Sequence, residues 1–308
     1  MSLLSIILPA RNEAGMLEKT VNAVESALKD EEIGFEILII DDGSTDGTWE
    51  KAEKLCAENA FVRALSLSRN FGKESAIFAG LEHAFGDCCV VMDCDLQHPP
   101  GVICEMLRLW RAGYLIVEGR KKKRQRENRV KGVFARAYYG ILRITSGLDL
   151  KNASDFKLLD RQVMDELLKM PERQMFFRAI SGWMGFCKAE ALFDVPEREG
   201  GKSKWSPFSL FKLALNSITS FTSAPMHIVT FFGAVFLIFA VGLSVQSLYM
   251  KISGKADAGF TTVIILLLII GSIIMMSLGI IGVYLSKIYE EIKQRPRYIV
   301  RKKIGGDK

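Results

Sequence analysis

Residues 36–48 read EILIIDDGSTDGT: an apolar run of strand length, two carboxylates, a turn of small polar residues, and a helical pattern opening at Thr48. A run that is apolar at nearly every position, without alternation, suits a strand covered on both faces. The same arrangement recurs on either side. Residues 3–9, 62–68, 88–93 and 115–119 are further short apolar runs, several rich in Val and Ile, and helical patterns over 14–29, 48–57, 73–85 and 99–112 separate them. Strands alternating with helices predict an open α/β domain, a mostly parallel sheet with helices on both faces and right-handed crossovers. Beyond Arg120 the alternation loosens. Residues 120–136 hold nine basic side chains and one acid, Glu127; residues 133–145 suggest an amphipathic helix, 155–168 a strand followed by a helix, and 176–186 an aromatic cluster.

The second half carries a different signal. No charged residue occurs at 228–250 or at 258–286, runs of 23 and 29 residues. At about 1.5 Å per helical residue, both exceed the ~30 Å hydrocarbon core of a bilayer. They predict transmembrane helices at 227–250 and 260–286. Before them, Ser206-Pro207 offers an N-cap and first-turn proline for an amphipathic juxtamembrane helix over 206–226, with Phe208, Phe211, Leu215 and Ile218 on one face. Residues 287–308 form a basic tail with eight Lys or Arg against three acids, whereas the connector between the spans offers only Lys251 and Lys255. The positive-inside rule keeps that tail in the cytoplasm. Two spans then place both termini and the α/β domain, taken as residues 1–205, on the cytoplasmic side of the plasma membrane. The first thirteen residues lack the basic start and long apolar run of a signal peptide. Six cysteines without C-x-x-C spacing argue against a zinc site or a disulfide framework.

Ligands of open α/β sheets bind beyond the carboxyl ends of the strands. Those ends read Pro9-Ala10-Arg11-Asn12-Glu13, Asp41-Asp42-Gly43-Ser44-Thr45-Asp46 and Asp93-Cys94-Asp95-Leu96-Gln97. Adjacent strands lie about 4.8 Å apart. Carboxylates crowded at that spacing repel and raise one another's pKa unless a cation offsets them. A hard divalent ion with oxygen ligands, completed by substrate phosphates, is the natural partner. The alternative for residues 42–46 is a simple turn and helix cap.

With Gln97-His98-Pro99-Pro100 after the D-x-D pair, the chain resembles family 2 glycosyltransferases of the Rossmann-like GT-A fold. The likeness is to the polyprenyl-phosphate branch, which includes dolichyl-phosphate mannose synthase and the bactoprenol glucosyltransferases. It runs through ILPARNE (7–13), DDGSTDGT (41–48), SRNFGKESAIFAGL (68–81), MDCDLQHPP (92–100), DFKLLDR (155–161), WMGF (183–186) and the R-x-x-G-x-S-K-W of residues 198–205. Two trailing spans match the bactoprenol type.

The resemblance implies a nucleotide pocket at Pro9, Arg11, Glu13, Asp42, Lys73 and Asp93, and Mg2+ or Mn2+ on Asp95 with Asp93 and Gln97. It implies catalytic roles for Asp95, Asp155 and Arg120, and acceptor-side or substrate-covering roles for Arg129, Lys131, Arg198, Ser203 and Lys204. Lys157 stands where arginine is commoner, and Ala179 where glycine usually follows the arginine. The implied reaction is inverting transfer from a nucleotide sugar, UDP-glucose foremost, to undecaprenyl or a similar polyprenyl phosphate. GDP-mannose, UDP-GlcNAc and an aminoarabinose donor are alternatives. A processive polysaccharide synthase would want more spans and a Q-x-x-R-W segment. A catalytically idle nucleotide-binding scaffold would be expected to have lost the carboxylates.

The basic run at 120–136 fits anionic lipid headgroups and the acceptor phosphate beside a membrane anchor, against the alternative of a solvated loop. No aromatic platform points to nucleic acid. Trp183 reads as core rather than acceptor platform, His98 as a turn residue, and homo-oligomerisation through the spans is expected.

Overall fold

The computed structural model describes residues 2–121, 154–170, 172, 177–178, 183–194, 224–253 and 260–305. The chain divides into two compact units, Met1–Lys204 together with Arg295–Lys308, and Trp205–Gln294.

The first unit is built on an eight-stranded sheet in the order β7-β5-β6-β4-β1-β2-β3-β8. The strands are β1 (Leu3–Ala10), β2 (Gly34–Asp41), β3 (Val62–Leu67), β4 (Cys88–Val91), β5 (Ile116–Lys121), β6 (Lys157–Asp160), β7 (Lys188–Phe193) and β8 (Val300–Ile304). The helices between them are α1 (Leu17–Leu28), α2 (Thr48–Glu58), α3 (Lys73–His83), α4 (Val102–Arg111) and α5 (Arg161–Lys169). The five strands expected from the apolar runs are present. The sheet is more mixed than those runs imply: β1–β2, β1–β4, β2–β3 and β5–β7 pair in parallel, but β4–β6, β5–β6 and β3–β8 pair antiparallel. The cause is two strands running in reverse, β6 between β4 and β5 and β8 at the edge beside β3.

Each face of the sheet has its own core. Leu4, Ile6, Leu8, Ile37 and Ile39 pack with α1, α2 and α4; Ile7, Leu38, Ile40 and Leu65 pack with α3 and α5. Helix α1 shows why: its buried Leu17, Val21, Val24 and Leu28 recur at helical spacing, one apolar stripe turned to the sheet. Helix α3 comes closest. A Cβ at Gly80 would stand 2.3 Å from Cγ2 of Ile7, so a larger residue there would have to displace the buried Ile7 side chain. The carboxyl ends of β1, β2 and β4 therefore share one edge of the sheet.

The second unit contains two long helices, α6 (Ala224–Ile252, 29 residues) and α7 (Phe260–Ile292, 33 residues), over the residue ranges where spans are expected. Among the described residues, Ile269–Ile292 is the stretch long and apolar enough to cross a membrane, 24 residues of mean hydropathy 2.1 with none of it buried. In α6 the apolar stretch found among the described residues is Ile238–Met250. The expected juxtamembrane helix over 206–226 lies outside the described residues up to 223, as does the basic run beyond Lys121.

The tail differs from its expectation. Rather than a plain basic extension, it continues α7 to Ile292 and then adds β8 to the outer edge of β3. An edge strand keeps one side in water and tolerates a run of charge such as VRKKI.

Candidate active site

The loops after β1, β2 and β4 surround a cleft of about 320 Å³. Pro9, Arg11, Glu13, Asp42, Lys73, Asp93 and Asp95, all singled out from the sequence, line it together with Ala10, Asn70, Gly72, Ala76 and Cys94.

The β2 loop is held by its own acids. Asp41 accepts from Ser44 N (3.0 Å) and Ser66 Oγ (3.0 Å), and Asp42 accepts from Phe71 N (2.7 Å) and Gly72 N (2.9 Å). Gly43 sits at φ +64, where a Cβ would lie 2.5 Å from the Arg69 carbonyl carbon, so the turn admits only glycine. Asp46 accepts from Thr48 N (3.1 Å) and its hydroxyl (2.5 Å), the turn role open to it from the sequence. Asp42 is thus more a clamp on the 70–73 loop than a free ligand; burial pushes its carboxyl up, against the pull of those two N–H groups.

Two residues beside the cleft carry backbone strain. Asn12 (φ 55) and Leu96 (φ 54) lie in the left-handed region, which costs a non-glycine residue about 1 kcal/mol or more. Leu96 separates Asp95 from Gln97, whose N–H donates to Asp95 Oδ1 (3.1 Å). Such strain is characteristic of loops whose shape serves a ligand.

The acids do crowd. The Glu13 carboxyl is raised by burial and then by the charges of Asp95, Asp46 and Asp93. Lys73, on the first turn of α3, is the resident counter-charge: its Nζ stands 2.6 Å from Asp93 Oδ1 and 2.8 Å from Asp155 Oδ2. Behind it, Arg178 donates twice to Asp155, from Nε (3.1 Å) and Nη2 (2.9 Å). Burial works to raise Asp155, but Lys73 and Arg178 outweigh it and hold the carboxyl well below the usual range. Lys73 answers in the opposite sense, its loss from burial overcome by Asp93 and Asp155.

For a metal, the donors are oxygen only. Among the described residues no three His, Cys, Asp or Glu side chains already converge as a cage. Mg2+ or Mn2+ takes such oxygen donors, one or two carboxylates completed by a substrate diphosphate. Asp95 and Asp93 face the cleft in this manner; Gln97 does not line it.

The chain matches the family model described as glycosyl transferase family 2 over residues 5–168. The chain belongs to that family. It is 34% identical over 299 residues (96% of this chain, 94% of the other) to a Synechocystis protein named only as an uncharacterized glycosyltransferase. A prophage-derived bactoprenol glucosyl transferase of Shigella flexneri is 32% identical over 312 residues, covering 99% of both chains. An Escherichia coli prophage bactoprenol glucosyl transferase homolog is 34% identical over 307 residues, 97% and 98% of the two chains. Among solved structures, the glucosyl-3-phosphoglycerate synthase of Mycobacterium tuberculosis with Mn2+ and UDP-glucose aligns over 69% of this chain and 75% of its own, with 20% identity and a TM-score of 0.47.

The molecule is therefore a glycosyltransferase with a GT-A, Rossmann-like mixed sheet. Arg120, one of the expected site residues, stands away from this cleft. Its guanidinium lies 3.2 Å from Glu190 and 3.6 Å from Glu118, in ion pairs. Arg129, Lys131, Arg198, Ser203 and Lys204 lie outside the described residues. Trp183 is not core: it is 62% exposed. His98 is more than a turn residue. Its ring stacks on Phe156 at 4.8 Å, and Asp93 N lies 3.3 Å from Nδ1. Burial lowers its pKa, so the ring is neutral at pH 7 with Nδ1 free to accept, and it props the first acid of the D-x-D pair from behind.

In the sequence Arg178 stands in an aromatic segment and before Ala179, and its partnership with Asp155 has no local signal. Buried Lys157 supports that segment by donating to the Arg178 carbonyl (3.0 Å) while pairing with Glu118 (3.2 Å).

Proposed function

We propose that this glycosyltransferase transfers glucose from UDP-glucose, with inversion, to undecaprenyl phosphate or a similar polyprenyl phosphate at the cytoplasmic face of the plasma membrane. The observation that carries the reading is the meeting of Asp93, Asp95 and Glu13 with Lys73 in one cleft at the strand ends. Full-length likeness to proteins named bactoprenol glucosyl transferases supports the acceptor.

Mg2+ or Mn2+, held by Asp95 and Asp93, would supply neutralisation of the diphosphate charge as the nucleotide departs. Lys73 adds a fixed positive charge beside the same acids. The nucleophile is an oxygen of the lipid phosphate, whose second pKa is near ~6, so it is already ionised at neutral pH. Asp155, held ionised and weakly basic by two cations, is suited to fixing Lys73 and Arg178 rather than to taking a proton.

The reading includes two spans, in α6 and α7. Because β3 and β8 pair in one sheet, the chain before and after Trp205–Gln294 lies on one side of any bilayer that unit crosses. An even number of crossings satisfies this, and the basic tail orients it inward. The reading also assigns the basic run of residues 120–136 to anionic headgroups, by its charge alone.

The test is transfer by the purified protein in detergent, with undecaprenyl phosphate and a panel of UDP- and GDP-sugars, read by mass spectrometry of the lipid. A glucosyl lipid formed only from UDP-glucose is the expected product. A mannosyl, N-acetylglucosaminyl or aminoarabinosyl lipid would replace the donor, and a polymer would replace the reaction class.

A further inference from the structure

The edge where β8 joins β3 is irregular. Lys303 stands opposite Leu65 and Lys302 opposite Ser66, but Val300 stands opposite Leu67, so Arg301 is an extra residue on β8. A bulge of this kind re-aims a side chain. Here it delivers Nη2 of Arg301 to Ser66 Oγ at 3.2 Å. Ser66 is fully buried, and its one hydroxyl proton goes to Asp41 Oδ2 at 3.0 Å, leaving a lone pair that accepts from Arg301. The other oxygen of Asp41 takes the Ser44 N–H at 3.0 Å. A guanidinium, a hydroxyl and a carboxylate thus run in line from the C-terminal strand into the loop after β2, and each bond polarises the next.

The same strand reaches the far side of that loop. Lys302 Nζ lies 3.5 Å from Glu53 Oε1 and 5.7 Å above the Trp49 ring, both on α2, the helix the loop leads into. Further anchors hold the approach to β8 in register: Ser68 N donates to Ile299 O (2.8 Å), Arg297 donates to the carbonyls of Met170 and Glu172, and the Tyr298 hydroxyl binds Glu82. An edge cover alone would need none of the contacts to Ser66 and α2.

We infer that β8 is part of the donor site, with Arg301 a positioning residue that sets the Asp41–Asp42–Gly43–Ser44 turn for a nucleoside diphosphate. This rests on the reading of the cleft as a nucleotide-sugar site. Arg301 touches no reacting atom, so its effect falls on donor binding and not on the chemical step.

The experiment uses the full chain in detergent, with UDP and GDP as calorimetric probes and steady-state kinetics for both substrates. Arg301→Gln and Ser66→Ala should each weaken nucleoside diphosphate binding and raise the donor KM by about three- to tenfold, the worth of one hydrogen bond. The turnover number and lipid KM should stay within about twofold, and the double variant should be little worse than either single one, as residues in one network are not additive. Arg301→Lys, which keeps the charge and a donor, should recover most of the affinity. If the single variants melt earlier but bind the diphosphate like wild type, β8 is only an edge cover and the inference is overturned. If the wild-type protein binds neither diphosphate, the nucleotide reading of the cleft fails first, and the inference falls with it.

Discussion

Replacing Asp155 with asparagine keeps the shape of the side chain and removes its charge. The carboxylate, 9% exposed, takes one hydrogen bond from Lys73 and two from Arg178. Deleting one partner of a fully buried ion pair costs about 3–5 kcal/mol. The penalty is smaller here, because Lys73 keeps Asp93 at 2.6 Å and the cations are 41% and 33% exposed. After that screening, a loss of about 1–3 kcal/mol is expected. Misplacing Lys73 and Arg178 should lower turnover by about 10²-fold, but a lost general base could cost as much, so the rate alone decides nothing. The pH profile does. The wild-type enzyme should show an acidic limb near ~6 from the lipid phosphate. Asp155 sits far below that, ionised throughout the working range. Its contribution to stability is present above the ordinary carboxyl pKa and lost only as pH falls through the depressed one. Turnover over lipid KM, measured from about pH 5 to 9 for both proteins, should therefore give parallel curves with the same limb, and the Tm difference should vary across that range only through Glu74, whose carboxyl the Asp155 charge helps to raise. A limb present in wild type and absent from Asp155→Asn would identify Asp155 as the base and refute the positioning argument.

Asp95→Ala should abolish transfer while leaving a folded, membrane-inserted protein, since it removes one ligand from a solvent-facing cleft; full activity of this variant in chelator-treated buffer would sink the metal assignment. Burial pushes the Glu74 carboxyl, which holds Phe177 N at 2.9 Å, up to about 7 from 4.5. The folded state then binds the extra proton, so Glu74 costs stability progressively as pH rises from about 4.5 to 7, on the order of 3 kcal/mol in full. Glu74→Gln should flatten the fall in Tm between pH 5 and 8; an unchanged slope would show that Glu74 is not its source. A cysteine at Ser253 should react with an impermeant thiol reagent on intact cells and one at Gly306 should not. The reverse pattern would overturn the orientation.

The parts legible in the sequence are those whose residues satisfy one demand at a time. Fully apolar runs such as 37–40, rich in β-branched residues and bounded by turn residues, read as doubly covered strands, and acids at their ends mark the cleft. Strand β7 was missed because KAEALF alternates, with only Ala191 and Phe193 buried. Strand β8 was missed because its charge reads first as a membrane-orienting tail, a demand it can meet while also pairing with β3. Arg178 and His98 were undervalued because what defines them is a partner far along the chain, Asp155 in one case and Phe156 in the other.

The pairing of β3 with β8 also sets an order of events during synthesis. Arg301 follows Ser66 by 235 residues, so at about 5–20 residues per second the ribosome delivers it roughly 12–47 s later. Throughout that interval the outer edge of β3 stands open, a row of N–H and C=O groups ready to pair with any passing strand. Both apolar helices emerge before the strand that closes it. The sheet is therefore completed last, after the helices have left the ribosome, and a molecule with a closed sheet has already delivered both apolar helices.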